Sequence, residues 1–203
     1  MGTQPKTLLV TGFGAFPGVP ANPTEALIAN LAAGDPLAGA GIEMRCHLLP
    51  VTWAMLEAEL PALYGAHRPD AVVHFGVAAR RAMVCIESRA RNAASGLDAA
   101  GCCRPGHSLL APGGPLARSS TLPTGRLVSA VEACGVRARV SRDAGAYLCN
   151  ATLWTSLAQG IPSVFMHMPL PGAGDPADTR PDAEGQARAA RAVLATVSAH
   201  LNR

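Results

Sequence analysis

Short runs of valine and leucine, too brief for helices, alternate along this chain with helical patterns of ten or more residues, and that alternation is what most restricts its fold. Thr7 to Thr11, Glu43 to Leu49, Ala71 to Phe75, Met83 to Ser88, Ala138 to Ser141 and Ser163 to Met168 read as strands. Between them, Asn22, Pro23 and Glu25 supply an N-cap, a first-turn proline and a capping-box acid for a helix ending near Ala33. Thr52 opens a second helix over Trp53, Leu56 and Leu60 that either tolerates Pro61 or ends near it. A third runs from Pro123 to Gly135, a fourth from near Cys149 to Gln159, and the last, from Asp182, places Ala190, Val193, Leu194, Val197 and Leu201 on one packing face. The pattern predicts an α/β fold: a three-layer α/β/α sandwich, phosphorylase/hydrolase-like, with an open, mostly parallel twisted sheet. A chain of 203 residues, 49% of them hydrophobic, has the mass to bury a single domain over residues 1–203.

Charge and composition remove several classes of function. The formal charge is +3, the 17 basic residues are scattered, and aromatic residues make up 4% of the chain, so neither a nucleic-acid surface nor an anionic-membrane surface is expected. No apolar run has the length of a membrane span, and Met1 to Lys6 leads straight into a strand without a signal-peptide core, which predicts a cytoplasmic protein. Its six cysteines lack framework spacing and are expected to be reduced there. Cys102 and Cys103 with His107 hint at a metal, but there is no C-x-x-C pair, and none is predicted. The glycine-rich stretch Thr11 to Pro23 is not a dinucleotide loop: Pro17 and Pro20 stop a helix from starting at the glycines, and the second strand ends without an acid for a ribose. No cofactor is expected. Ala93 to Arg118 has no periodicity and reads as a long loop.

Cys149 lies between a small-residue turn, Asp143 to Ala146, and an apolar helical run. A thiol in the first helical turn faces unpaired backbone N–H groups and the positive end of the helix dipole, both of which favour the thiolate. Most unbridged cysteines are nevertheless small buried hydrophobes, so the residue needs partners before it becomes a nucleophile. His167 stands near the carboxyl end of a strand with a proline- and glycine-rich exit, where open α/β sheets bind ligands, and Glu87 ends another strand. Cys, His and Glu are the set thiol chemistry requires: His167 would take the thiol proton and protonate the leaving amine, Glu87 would fix the imidazole tautomer, and helix N–H groups would hold the oxyanion. A strand-end histidine and a strand-end glutamate also fit purely structural roles. Phe13 and Phe16 stand either as walls for a small flat ring or as core plugs, and the residues alone favour the core. His47 and His74 fall within strands, His67 and His200 at helix ends.

Taken together, these segments resemble the pyroglutamyl peptidases, cysteine enzymes that remove an N-terminal pyroglutamyl residue from peptides. Thr11-Gly12-Phe13 with Phe16, Gly18 and Asn22-Pro23-Thr24 is similar to the family's T-G-F-x-x-F-x-G…N-P-S loop. Leu49-Pro50-Val51 and Arg68-Pro69-Asp70 to Gly76 resemble its L-P-V and K-P-D…G segments. Glu87 with Asn92 resembles E-R-x-A-x-N, Ala144 to Asn150 resembles A-G-T-[FY]-x-C-N, and Met166-His167-Met168-Pro169 resembles I-H-[IV]-P. The resemblance implies Cys149 as nucleophile, His167 as base and Glu87 as orienting acid. It also implies Phe13, Phe16, Asn22, Val77, Tyr147 and Leu148 as the substrate-binding set, with the two phenyl rings embracing the lactam. The implied partner is a peptide with a blocked N-terminus, and family members often form homo-oligomers. The chain departs from the family in three places. Val77 stands where a glutamine is frequent and Arg80 where a glycine is, Ser88 replaces an arginine, and Ala93 to Asp98 replaces an acidic stretch. Two classes remain in view: an exopeptidase for pyroglutamyl or a related acyl group, and a relative with altered acyl specificity or a non-catalytic small-molecule binding role.

Overall fold

The computed structural model describes residues 5–104, 106, 108–172 and 177–203. Its main sheet has six strands in the order β2-β1-β3-β8-β4-β7. Their ranges are β1 Lys6–Phe13, β2 Ile42–Leu49, β3 Ala71–Val77, β4 Val84–Glu87, β7 Ala138–Ser141 and β8 Ser163–Met168. The strands β2, β1, β3 and β8 are parallel, whereas β4 runs antiparallel to β8 and β7 follows β4. Two short strands, β5 (Arg89–Arg91) and β6 (Ala117–Ser119), form a separate antiparallel ladder. The helices are α1 Pro23–Ala33, α2 Glu59–His67, α3 Thr124–Ala133, α4 Leu148–Ala158 and α5 Ala183–Leu201.

Alternation along the strands sends side chains to opposite faces and so builds two cores. Leu8, Val10, Val73, Ile86, Val164 and Met166 pack under α1, α3 and α5. Leu9, Val72 and Phe165 pack under α2, α4 and the 3-10 turn Trp53–Leu56. The layers are therefore the expected α/β/α sandwich. The central strands are apolar without a polar face because helices cover both sides, and each fully buried leucine there contributes about 1.5–3 kcal/mol.

Local chemistry explains the element ends. Asn22 caps α1 by accepting from the Thr24 N–H at 3.1 Å, and Asp182 caps α5 by accepting from the Gly185 N–H at 2.7 Å. The helix expected from Thr52 divides: a 3-10 turn covers Trp53–Leu56, and α2 begins only at Glu59. Pro61 is the cause, because an uninterrupted helix would set its ring against the Glu57 carbonyl, whereas in the first turn of α2 its missing N–H has no bond to lose.

The described part of the stretch from Ala93 to Arg118 is a loop for most of its length, but it ends in β6 and is tied down at several points. Asn92 clasps Ala111 through both of its amide atoms, donating at 2.7 Å and accepting at 2.8 Å. Asp98 accepts from the N–H groups of Trp53, Ala100 and Cys102. His107, weighed with Cys102 and Cys103 as a metal ligand, lies outside the described residues; Cys102 and Cys103 are exposed and unbridged.

Candidate active site

Cys149 is the second residue of α4, and the segment before it makes a tight approach. Asp143 Oδ1 accepts from the Gly145 N–H at 3.0 Å, and Gly145 takes a φ of +83°, where a side chain would strain the backbone. Tyr147, extended, starts the helix without a side-chain cap, so the first-turn N–H groups keep their hydrogen-bonding capacity. Asn150 fixes this turn to β5: its amide accepts from the Arg91 N–H at 2.8 Å and donates to the Arg91 and Ala93 carbonyls, both at 2.9 Å.

The sheet beneath α4 brings the other two candidates to the same face. Phe165 and His167 on β8 point toward α4, as do His74 and Gly76 on β3 and Cys85 and Glu87 on β4. Glu87 stands opposite Phe165, so His167 is its diagonal neighbour, and His167 Nδ1–H donates to Glu87 Oε1 at 2.8 Å. The sequence reading placed Glu87 and His167 at comparable carboxyl ends. Because β4 is reversed, its carboxyl end does not share the edge of β8, and it is diagonal pairing that joins the two residues.

Gly76 is paired with His167 in register and also lies against Cys149. A Cβ there would come within 2.6 Å of Phe165 Cζ and 3.3 Å of Cys149 Sγ, so only glycine lets Phe165, Cys149 and β3 approach this closely. His167 Nε2 and the Cys149 thiol share no hydrogen bond, and Nε2 has no other partner among the described residues.

The electrostatics assign distinct states to the three groups. Burial pushes the Cys149 thiol up to about 12, aided by the Glu87 carboxylate and opposed by its own backbone N–H and by Arg81. The expected preference for thiolate is overturned, because desolvation outweighs the helix terminus. Burial also holds His167 below the ordinary imidazole value, with Glu87 pulling the other way through a hydrogen bond and its charge. Burial alone would raise Glu87, but His167, Ser141 and Arg81 outweigh it and keep the carboxyl below its usual range. The resting arrangement is a neutral thiol, a neutral imidazole and a carboxylate.

A cavity of about 80 Å³ opens beside Cys149, lined by Phe13, Phe16, Asn22, Val51, Val77, Tyr147 and Leu148. It has room for roughly five to eight water-sized groups, the scale of one small ring. All six residues expected to bind substrate line it together with Cys149. The phenyl rings are therefore walls as well as core, Phe13 being buried and Phe16 partly so. Asn22 spends its amide on the loop, donating to the Gly14 carbonyl at 2.9 Å and accepting from Thr24, so it shapes the wall.

Val51 and Arg81 were not among the expected site residues. Val51 was visible only as the end of the L-P-V segment. Arg81 Nη1 donates to Glu87 Oε1 at 2.5 Å and Nη2 to the Asp143 carbonyl at 2.8 Å, contacts that depend on how β4 and the loop after β7 meet. No three His, Cys, Asp or Glu side chains among the described residues gather as metal ligands, and no helix is long and apolar enough to cross a membrane.

A family model described as pyroglutamyl peptidase matches residues 6–171. The chain is 32% identical over 171 residues to pyroglutamyl-peptidase 1 of Mus musculus, covering 81% of this chain and 79% of that protein. It is 32% identical over 172 residues to the pyrrolidone-carboxylate peptidase of Pyrococcus furiosus, covering 80% of each. Among solved structures, a mutant pyrrolidone carboxyl peptidase from P. furiosus superposes with a TM-score of 0.84 at 28% identity, covering 96% of this chain and 99% of that one. The pyrrolidone carboxyl peptidase of Thermus thermophilus gives 0.78 at 32% identity, covering 92% and 98%.

Proposed function

The chain belongs to the pyroglutamyl peptidase family, and from that premise we propose that Cys149, His167 and Glu87 carry out the family's reaction on a substrate ring held by the cavity beside Cys149. The protein is a cysteine exopeptidase that releases an N-terminal pyroglutamyl residue from peptides. The observation that carries the residue assignment is the buried His167–Glu87 hydrogen bond of 2.8 Å, on the sheet face where Gly76 lets Cys149 approach.

In the first step His167 Nε2 removes the thiol proton while Sγ attacks the pyroglutamyl carbonyl carbon. Glu87 holds the Nδ1–H tautomer that leaves Nε2 free and stabilises the imidazolium that forms. The charge on the carbonyl oxygen is met by first-turn N–H groups of α4, which no side chain caps. Collapse breaks the C–N bond, the imidazolium protonates the leaving amine, and a thioester remains on Cys149. His167 then takes a proton from water, the hydroxide oxygen attacks the thioester, and free pyroglutamate leaves as the thiol is restored. With a thiol pushed to about 12, ionisation has to accompany proton transfer to His167.

Phe13, Phe16, Val77, Tyr147, Leu148 and the Asn22 wall hold the ring in this reading, and an N-terminus without a free amine suits a cavity that offers no charged side chain. We further propose that residues 1–203 act as one peptidase domain, in the cytoplasm and as a homo-oligomer. All six cysteines are unbridged, which supports a reducing compartment. Relatives at 32% identity over most of their length favour the peptidase over a binding protein without catalysis.

The test is a panel of pyroglutamyl and aminoacyl chromogenic amides against wild type and Cys149→Ala. Release from the pyroglutamyl amide that disappears in the variant is expected. Release that survives Cys149→Ala would overturn the mechanism, and preference for another acyl group would move the specificity.

A further inference from the structure

Three arginines hold the backbone carbonyls of the loop that leads into the nucleophile. Arg89 Nε donates to the Arg142 carbonyl at 2.8 Å, Arg81 Nη2 to the Asp143 carbonyl at 2.8 Å, and Arg91 Nη2 to the Gly145 carbonyl at 3.3 Å. Only Arg81 also reaches the acid that orients the base, donating from Nη1 to the same Glu87 Oε1 that accepts from His167.

From this geometry we infer that Arg81 is a positioning residue, a bridge that registers the Glu87–His167 pair against the loop and first turn carrying Cys149. The inference rests on the triad reading above. A guanidinium suits the role because its planar fork points two N–H groups in fixed directions, one to the carboxylate and one to the carbonyl. The Glu87 side chain is fully buried while that of Arg81 is about one-fifth exposed, so the contact is shielded from salt and adds a second donor on Oε1 beside the imidazole. Glu87 Oε2 makes no hydrogen bond among the described residues, so the two donors on Oε1, with the Ser141 hydroxyl nearby, set the orientation of the carboxylate. Without Arg81, Oε1 loses one of its two donors and the 142–145 loop loses one of its three arginine clasps.

The charge of Arg81 also acts on both reacting groups. His167 is faced by Glu87 and the Cys85 thiol from β4 and by Arg81 from the loop before it; the Cys149 thiol from α4 lies against Gly76, the residue paired with His167, and Arg139 on β7 stands behind Cys85, its Nε 3.4 Å from Cys85 Sγ. Removing Arg81, the cation that acts on His167 among the described residues, makes protonation of His167 easier and the ionisation of Cys149 harder.

The experiment compares wild type, Arg81→Gln and Arg81→Lys on a pyroglutamyl amide, with active sites counted by stoichiometric alkylation of Cys149. Arg81→Gln is expected to lower kcat per active site on the order of 10- to 100-fold with KM little changed. The acid limb of kcat/KM should move to higher pH by roughly half a unit or more. Arg81→Lys keeps the charge but not the fork, so it should restore the acid limb and only part of kcat. Arg89→Gln, which loosens the same loop without touching Glu87, should leave the acid limb where it is. If Arg81→Gln lowers thermal stability while kcat per active site and the acid limb stay at wild-type values, Arg81 is only a structural clasp and the inference fails. Should Arg81→Gln not fold, Arg81→Lys decides: a wild-type kcat per active site overturns the inference. Absence of Cys149-dependent turnover in the wild type would instead end the triad reading, before any comparison at Arg81.

Discussion

Two imidazoles stand on the same face of neighbouring strands, His74 on β3 and His167 on β8, and both are almost fully buried against the Phe165 ring. His74 has both nitrogens committed to neutral hydroxyls, Nδ1 to Thr11 at 2.7 Å and Nε2 to Ser156 at 3.1 Å. His167 has one nitrogen on a carboxylate and the other without a partner among the described residues, beside the glycine that admits Cys149. Burial takes His74 down to about 3, whereas Glu87 pulls His167 back toward its ordinary value. Burial is common to both; a countercharge and a vacant nitrogen are not. His74 therefore pins α4 to β1 and β3, and His167 alone is equipped to take and return a proton.

The largest effect that separates them is on turnover. His167→Ala should reduce kcat by about 10⁴-fold or more with a near-native fold, because the thiol then has no proton acceptor. His74→Ala should leave kcat per active site largely intact and cost about 1–3 kcal/mol in urea unfolding, since it orphans the buried Thr11 hydroxyl and unties Ser156, which keeps its bonds to the Thr152 and Leu153 carbonyls. The two outcomes exchanged would reverse the assignment.

Glu87→Gln sharpens the contrast by making the His167 partner neutral. It should lower kcat by about 10³- to 10⁴-fold through a misplaced tautomer. Glu87 raises the His167 pKa, so any residual activity should show an acid limb displaced to lower pH. In the wild type that limb should lie below the ordinary imidazole value of 6.5. An acid limb above that value would contradict the depressed His167.

Much of this arrangement was readable from residues. Asn22-Pro23 announced α1, the valine and leucine runs announced the strands, and the Cys149, His167 and Glu87 segments announced the candidate triad. What escaped was set by long-range geometry. Nothing in the sequence Val84 to Glu87 states its direction, and only its pairing with β8 makes Glu87 a diagonal neighbour of His167. The β5–β6 ladder joins two three-residue strands across a long loop, too short for periodicity to register. The state of Cys149 was misjudged because the helix terminus is visible in sequence and the packing that desolvates the thiol is not.

A smaller effect is expected at Gly76, where the two histidine strands meet Phe165. Gly76→Ala should destabilise by about 1–3 kcal/mol through the 2.6 Å approach to the ring, and it should slow turnover by displacing Cys149. Calorimetry and kcat on the same preparation check it, and an unchanged kcat would mean that the approach to Cys149 is slack.

The last effect is silent at neutral pH and appears only in acid: it is the pH dependence of stability due to His74. Its folded pKa, about 3, lies below its unfolded value of 6.5, so the unfolded chain binds the extra proton between them. The stability present above pH 6.5 is lost as pH falls through that window, by at most about 1.4 kcal/mol per pH unit from this group. Urea unfolding of His74→Asn should show a shallower acid slope than the wild type.

The central claim is that Cys149 becomes a nucleophile only through His167. The most direct measurement is the alkylation rate of Cys149 against pH, read by mass spectrometry of its peptide, in wild type, His167→Ala and His74→Ala. Wild type and His74→Ala should react readily near neutral pH, whereas His167→Ala should react only in strong alkali, as befits a thiol pushed to about 12. Neutral-pH reactivity that persists in His167→Ala would contradict the account.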